Sequence, residues 1–178
     1  FYFWLYTRLI SFNFLWLFGS MPELETLENP KVTIASELYS ADHVLIGKYY
    51  RENRSPVSYK EINPILIKAL VATEDVRFYE HSGIDLTAML SIPFSLLKGD
   101  NRGGSTLTQQ LAKNLFKTRE GDSKGLFGYV PILKTFIFKT KEWIMATRLE
   151  KTFTKEEILT MYLNTVDFGS NSFGVKVA

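Results

Sequence analysis

The sequence of 178 residues contains no cysteine, which excludes disulfide bonds and zinc sites built from thiolates. It also lacks a strong excess of charge, because 21 basic and 19 acidic side chains leave a net charge of +2. There is no stripe of basic residues and no nucleic-acid-binding signature, so no nucleic-acid partner is indicated. A chain of this length can form one domain with its own hydrophobic core.

The N-terminal segment lacks the run of about 20 uninterrupted apolar residues that a full transmembrane helix needs. Residues 1–19 are rich in aromatics, but Arg8 and Asn13 interrupt them. We interpret the segment as the exit end of a transmembrane helix, with Trp4, Tyr6 and Arg8 as interface anchors and a membrane-surface helix following over residues 9–18. A buried helix of a soluble domain is the alternative. A signal peptide is disfavoured, because no basic start or cleavage site is present.

Turn and cap signals divide the rest of the chain into a linker with a β preface over residues 20–62 and a helical region over residues 63–178. Two β-like runs, 32–39 and 44–50, flank a hairpin turn at Ser40–His43. Helices are predicted over residues 64–74 and 86–97, from residue 105 or 106, over residues 133–151 and from residue 155. Their start signals are Asn63-Pro64, Asp85, and capping boxes at Thr106–Gln109 and Thr154–Glu157. The chain stops in what looks like the start of another helix, which indicates a fragment shortened at its C-terminus.

Chemistry-bearing residues concentrate between residues 72 and 85. Glu74 and Asp75 fall at the C-terminal end of a predicted helix, where the negative end of the dipole disfavours acids. Such a local conflict is typical of a functional site. The alternative is a solvated acidic pair with Arg77 as counter-charge.

Two later stretches carry further polar residues. The helix that opens with Gly-Gly-Ser-Thr at residues 103–106 presents backbone N–H groups to an anion, and its polar face comprises Thr106, Gln109, Gln110, Lys113 and Asn114. On the next helix, Glu142 falls inside an apolar arc formed by Phe138, Met145, Ala146 and Leu149, opposite Lys141, Arg148 and Lys151. Glu142 is therefore either desolvated in that arc, paired with Lys139, or extended to solvent.

Four motifs in this order resemble the peptidoglycan glycosyltransferase domain, family 51, of class A penicillin-binding proteins and monofunctional transglycosylases. The first is Glu74-Asp75-x-x-Phe78-x-x-His81-x-Gly83. The second is Gly104-x-Thr106-x-Thr108-Gln109-Gln110-Leu111-x-Lys113-Asn114, with Ser105 in place. The third is Lys139-x-Lys141-Glu142-x-x-x-Ala146-x-x-Leu149-Glu150, and the fourth is Lys155-x-x-Ile158-Leu159-x-x-Tyr162-Leu163-Asn164. One such motif alone is weak, but four in order are specific.

The resemblance implies a mainly α, lysozyme-like fold that is anchored to the cytoplasmic membrane on its extracytoplasmic side. It also implies an enzyme that joins lipid II units into glycan strands, with inversion at the anomeric carbon. It implies Glu74 as the general base and Glu142 as a second catalytic carboxylate near the leaving phosphates. The apolar helix over residues 86–97 matches the membrane-embedded part. The substrate-binding residues implied, with Arg148 the least specific, are Asp75, Arg77, Phe78, His81, Ser105, Thr106, Gln109, Gln110, Lys113, Asn114, Lys139 and Arg148.

The expected partners are lipid II, the growing glycan strand, the membrane and other cell-wall synthesis proteins. No organic cofactor is expected; Asp75 or Glu142 could hold Mg²⁺ or Mn²⁺, although the spacing specifies no site. Two positions depart from the family pattern: Phe138 replaces an arginine, whose role could pass to Lys141, and Asp167 replaces a tyrosine.

Two other functions remain as alternatives. A glycan-cleaving enzyme would use Glu74 as a general acid, but it would not need a cationic site for pyrophosphate. A non-catalytic membrane scaffold would need neither the base nor the cationic cluster.

Overall fold

The computed structural model describes residues 2–12, 17–21, 36–49, 53–97, 103–116, 126–169 and 172–176. Within these residues the chain is mainly helical, as predicted. The six α-helices found there are α1 Tyr2–Ser11, α2 Pro64–Glu74, α3 Leu86–Leu97, α4 Leu107–Phe116, α5 Pro131–Thr152 and α6 Lys155–Thr165. Short 3-10 helices at Tyr59–Glu61 and Leu126–Tyr129 precede α2 and α5.

The predicted hairpin is present in the β preface. Strands β1 Ser36–Tyr39 and β2 Leu45–Tyr49 pair antiparallel, with Ser36 opposite Tyr49. His43 in the connecting turn is exposed and has a positive φ of 60°. Residues 32–35 of the first predicted run and residue 50 of the second lie outside the described residues. A second pairing was not predicted: β3 Asn53–Arg54 runs parallel to β4 Ser172–Phe173.

Side-chain caps begin the helices that position the site. Asn63 Oδ1 accepts the N–H of Ile65 at 2.9 Å, and Pro64 occupies the first helical position of α2. Asp85 Oδ1 accepts the N–H of Ala88 at 2.8 Å at the start of α3. Both halves of the capping box that opens α6 are present. These local signals confirm three predicted helix starts.

The core lies where α4, α5 and α6 pack together. Leu111 of α4, Leu149 of α5 and Ile158 of α6 are fully buried, and the ring of Phe78 joins them. Each such side chain contributes about 1.5–3 kcal/mol by burial. The apolar arc predicted on α5 is therefore confirmed. The polar face predicted for α4 is wrong in part, because Thr106 and Gln109 are only 2% and 1% exposed. The chain before α2 is attached to this core, because Asn164 bonds both backbone groups of Val57 at 2.9 Å.

Helix α1 packs against α5. The Tyr6 ring lies 5.5 Å from the Phe136 ring, and the Tyr6 hydroxyl is 3.3 Å from Thr140 Oγ1. At ten residues α1 is short, and none of the helices in the described part of the chain has the length and apolar character needed to cross a bilayer. The membrane anchor stays a prediction. The predicted surface helix over residues 9–18 is not found in this form, because α1 ends at Ser11 and residues 17–18 form a bend; residues 13–16 lie outside the described residues.

Two details of α5 differ from the sequence-based expectation. The helix begins at Pro131, two residues before the predicted start, because proline is favoured at the first helical position. The placement of Lys141 on a polar side was wrong: this residue is 1% exposed, and its Nζ donates to the carbonyl oxygen of Ser20 at 2.9 Å. Burial lowers the pKa of Lys141 to about 8. The N-terminal segment covers this side of the helix, which helical spacing alone does not reveal.

Candidate active site

A cleft of about 710 Å³ lies between the C-terminal end of α2, the first turns of α3 and the start of α4. It is partly open to solvent, and its volume suits a sugar unit or a pyrophosphate group. Six of the predicted site residues line it: Glu74, Asp75, Arg77, Ser105, Thr106 and Gln110.

Glu74 is the last residue of α2 and its side chain is exposed at the cleft. Gln110 Nε2 donates to Glu74 Oε2 at 3.0 Å, and the Tyr162 hydroxyl donates to Gln110 Oε1 at 3.0 Å. Burial, with the charge of Glu74 adding to it, raises the pKa of Tyr162. The phenol therefore remains a donor at neutral pH. Because it binds the amide oxygen of Gln110, the amide NH₂ group points to Glu74.

Asp75 follows Glu74 but is turned into the protein and is 7% exposed. Its carboxylate accepts the N–H of Leu107 at 2.9 Å and contacts His81 Nε2 at 3.0 and 3.1 Å. His81 Nδ1 accepts the N–H of Gly83 at 3.2 Å, so the proton is on Nε2. Asp75 therefore joins the first motif to the start of α4, and the Leu107 N–H expected for an anionic ligand is already used.

Gly83 lies in a close backbone contact that fixes the loop before α3. Its φ is +88°, and a Cβ there would stand 2.8 Å from the Ala146 carbonyl group. Its own carbonyl accepts Thr106 Oγ1 at 2.8 Å and Gln109 Nε2 at 3.0 Å. The predicted capping box is half confirmed: Thr106 Oγ1 accepts the N–H of Gln109 at 3.2 Å, but the Gln109 side chain binds Gly83 instead of Thr106.

Arg77 projects into the cleft from the turn after α2. Its Nε donates to Asp85 Oδ2 at 2.8 Å, and its side chain is 35% exposed. Burial acts to raise the pKa of Asp85, but the Ala88 N–H and the Arg77 guanidinium outweigh it and hold this pKa below its ordinary value. Arg77 thus keeps a fixed position while retaining donors toward the cleft.

Lys139 and Glu142 form a partly buried pair behind Ser105. Lys139 Nζ donates to Ser105 Oγ at 2.8 Å and to Glu142 Oε2 at 3.1 Å. Glu142 is 1% exposed, so both its burial in the apolar arc and its pairing with Lys139 are found. The pair reaches the cleft through Ser105.

A divalent-cation site is not supported by these side chains. Among the described residues, the one group of three potential ligands within 4.8 Å of one another is Asp75, His81 and Asp85. Both ring nitrogens of His81 are in hydrogen bonds, and all four carboxylate oxygens contact N–H donors or the His81 ring. At Glu142, the Lys139 ammonium occupies a cation position. The residues do not fit a metal in this arrangement.

The remaining predicted site residues lie outside the cleft lining. Phe78 and Gln109 are buried, and Lys113 and Asn114 are exposed on α4. Arg148 is half-buried and lines a second cavity against α1.

The two departures from the family pattern have structural explanations. Phe138 is 6% exposed and packs inside, with Lys134 Nζ 5.7 Å from the centre of its ring. Lys141 does not take over the role of the missing arginine at the cleft, because its amine is buried toward Ser20. Asp167 Oδ1 accepts the N–H of Gly169 at 2.7 Å, so this side chain forms a turn.

Several residues of the four motifs have supporting roles that the sequence does not indicate. Glu150 accepts Thr108 Oγ1 at 2.6 Å and Lys155 Nζ at 2.8 Å, which joins α4, α5 and α6. Lys155 also donates to the His81 carbonyl oxygen at 2.7 Å and lies 4.3 Å above the Phe78 ring. Tyr162, which orients Gln110, is the most important omission. Its place in the fourth motif was a signal, but its partner is 52 residues away in the chain.

Fold and site together define a helical domain with one accessible carboxylate beside a cleft that carries basic side chains. A family model described as Transglycosylase matches residues 42–178. Penicillin-binding protein 1A of Escherichia coli is 38% identical over 89% of this chain, and the match covers 17% of that relative. Penicillin-binding protein 1F of Bacillus subtilis is 42% identical over 75% of the chain and 17% of the relative. Penicillin-binding protein 1A of Pseudomonas aeruginosa is 33% identical over 96% of the chain and 20% of the relative.

The chain belongs to the transglycosylase family, which confirms the resemblance of its four motifs. It spans about a fifth of the length of these curated relatives.

Proposed function

We propose that this domain is a peptidoglycan glycosyltransferase, which polymerises lipid II into β-1,4-linked glycan strands and releases undecaprenyl pyrophosphate during bacterial cell-wall synthesis. The observation that carries the proposal is the placement of Glu74. Its carboxylate stands at a cleft with one oxygen held by Gln110, and Oε1 makes no bond to another described residue. Family membership supplies the reaction class.

In this proposal Glu74 acts as the general base. The attacking 4-hydroxyl of one sugar is a poor nucleophile, and a carboxylate within hydrogen-bond reach accepts its proton as attack proceeds. The oxygen bonds to the anomeric carbon of the donor sugar from the opposite face, which inverts the configuration. The bond from that carbon to the pyrophosphate breaks, and the electron pair leaves with the phosphate oxygen.

The leaving pyrophosphate gathers negative charge, which fixed cations stabilise. Arg77 stands on the cleft wall, and Lys139 reaches it behind Ser105. Lys113 lies one helical turn beyond Gln110 on the same helix. We assign these three cations to the pyrophosphate, and Ser105, Gln110 and Asn114 to sugar or phosphate contacts.

The buried members of the predicted site act through other groups. Asp75 and His81 set the junction between α2 and α4, while Thr106 and Gln109 hold the loop at Gly83. Phe78 anchors the turn after Glu74 in the core. Glu142 holds the Lys139 ammonium and does not itself line the cleft. We regard all of these as positioning residues.

A membrane location follows from the chemistry of the substrate, whose lipid tail stays in the bilayer. Leu86 and Leu90 at the start of α3 are 67% and 75% exposed. Exposed leucines beside the cleft suit contact with acyl chains. We propose that the domain is anchored to the cytoplasmic membrane and faces its outer side, where other cell-wall synthesis proteins are also expected partners.

A glycan hydrolase is the alternative that one assay separates from this proposal. The domain, in detergent, is given labelled lipid II in one reaction and preformed glycan strands in another, and both products are resolved on a gel. A ladder of lengthening glycan from lipid II is expected. Shortened strands without a ladder would show that the carboxylate works as a general acid and that the hydrolytic function is correct.

A further inference from the structure

A second cavity of about 450 Å³ lies between α1 and α5 and shares no lining residue with the cleft. The two are nevertheless adjacent: Ile84 lines this cavity, whereas Asp85, the next residue, lines the cleft and holds Arg77. The Ile84–Asp85 segment is therefore the wall between them. None of the reaction steps proposed above uses this second cavity.

Three cations line the second cavity: Arg8, Arg148 and Lys151. No carboxylate is among its described lining residues. None of the three forms an ion pair with another described residue. Like charges collected around one cavity without a counter-ion destabilise each other, and an anion in the cavity would relieve this repulsion.

The walls of the same cavity are aromatic and aliphatic. Trp4, Phe12, Trp143 and Ile144 contribute them, and the Arg8 guanidinium lies 5.1 Å from the centre of a Trp4 ring and 5.9 Å from that of Phe12. This contact holds the Arg8 charge at an apolar surface. A ligand that matches the cavity must carry a negative group and an apolar portion together.

Exposed apolar side chains continue from both edges of this cavity. On α1, Trp4 is 57% and Phe12 is 74% exposed, and Leu86 of α3 follows Ile84 by two residues. Basic residues beside exposed aromatics are the composition that favours the headgroup region of a bilayer.

We propose that this second cavity binds the phosphate headgroup of an anionic phospholipid, with Arg148 and Lys151 on the phosphate, Arg8 at its aromatic edge and the apolar walls along the acyl chains. The occupied site fixes α1 and α5 at the membrane surface beside the cleft. Because the Ile84–Asp85 segment separates the two cavities, the lipid also supports the loop that positions Arg77. This ligand is distinct from the substrate, so its binding can be measured without turnover.

The test uses the fluorescence of Trp143 in the whole chain bound to nanodiscs. Trp4→Phe and Trp16→Phe leave Trp143 as the single tryptophan. Nanodiscs of phosphatidylcholine carry a minor fraction of brominated phosphatidylglycerol or, in the parallel arm, of brominated phosphatidylcholine, because bromine quenches only at short range.

The cavity variant is Arg148→Gln with Lys151→Gln. The control variant, Lys60→Gln with Lys68→Gln, removes the same charge from exposed sites. Thermal melting confirms that each variant is folded.

We expect brominated phosphatidylglycerol to quench Trp143 and brominated phosphatidylcholine to have much less effect. The cavity variant should need about tenfold more anionic lipid for the same quenching, and the control variant less than about twofold more. Equal losses in both variants would show general charge attraction and overturn the site. Equal quenching by the two lipids would also overturn it. Displacement of the anionic lipid by millimolar inorganic phosphate would show that the cavity takes free phosphate, and the assignment to a lipid would be wrong.

Discussion

Gln110 Nε2 lies 3.0 Å from Glu74 Oε2, and this bond joins the second motif to the first across the cleft. Tyr162 fixes the other end of the same amide at 3.0 Å. The accessible carboxylate is therefore oriented by a chain of two hydrogen bonds that ends in the core at Tyr162, which is 6% exposed.

Tyr162→Phe should lower kcat about fivefold to tenfold and leave KM within about twofold, because the amide of Gln110 loses its orientation but the cleft keeps its shape. Stability should fall by about 1 kcal/mol, the value of one hydrogen bond. Steady-state polymerisation with labelled lipid II measures both constants. Tyr79→Phe is the matched control, since Tyr79 is 58% exposed. A change in KM alone would mean that Tyr162 does not act through the carboxylate.

The Lys139–Glu142 pair predicts strong coupling between two single substitutions. Lys139→Met removes the ammonium partner of a carboxylate that is 1% exposed, and it should cost about 2–4 kcal/mol of unfolding free energy. Adding Glu142→Gln removes the buried charge, so the double variant should regain at least about 1 kcal/mol. Urea denaturation of the two single variants and the double variant completes the cycle. Simple additivity of the two losses would contradict the coupling.

Because Lys141 is buried, we expect the unfolding free energy to rise with pH in mildly alkaline solution. Its pKa is about 8 in the folded chain, against 10.5 for an ordinary lysine. Between these values the unfolded chain binds more protons than the folded one, so the unfolding free energy increases with pH. Below pH 8 the Lys141 amine is protonated in both the folded and the unfolded chain. The free-energy cost of burying its charge on folding is then fully present.

Lys141→Met should abolish that rise and increase the unfolding free energy at neutral pH by roughly 1–3 kcal/mol. The lower value of this range applies if the Ser20 carbonyl, which loses its hydrogen bond to Lys141, finds no other donor. Denaturation series at several pH values give the slope, and Lys68→Met, at an exposed position, serves as the control. If both variants keep the slope of the parent chain, Lys141 is not the group that causes it.

Gly83→Ala should destabilise the domain by roughly 2–4 kcal/mol, because a methyl group would clash with the Ala146 backbone and the φ of +88° disfavours a side chain. Gly103→Ala is the control, since nothing lies within 4 Å of a Cβ there. Thermal melting of both variants is sufficient. Similar melting temperatures would mean that the loop can shift away from α5.

The sequence predicted those parts of the fold that depend on near neighbours. Asn63-Pro64, Asp85 and the Thr154–Glu157 capping box each start a helix through atoms within three residues. The apolar arc of α5 follows from helical spacing. The four motifs also identified the family.

Contacts between distant segments could not be predicted in the same way. Lys141 is buried because a segment 121 residues earlier covers it. In a capping box the Gln109 side chain would accept the backbone N–H of Thr106. In the folded chain its amide instead donates to the Gly83 carbonyl, and only the folded loop decides between these two bonds. The pairing of β3 with β4 depends on strands of two residues each, too short for a periodic pattern.

The most direct test of the account is the Glu74→Gln variant, assayed for both polymerisation and lipid II binding. The amide keeps the size of the side chain but cannot accept the proton of the attacking hydroxyl. Polymer formation should fall by roughly 10²–10⁴-fold, while the dissociation constant for lipid II and the melting temperature stay close to those of the parent chain. Polymerisation at an undiminished rate would show that Glu74 is not the base, and loss of binding together with the fold would show that its role is structural.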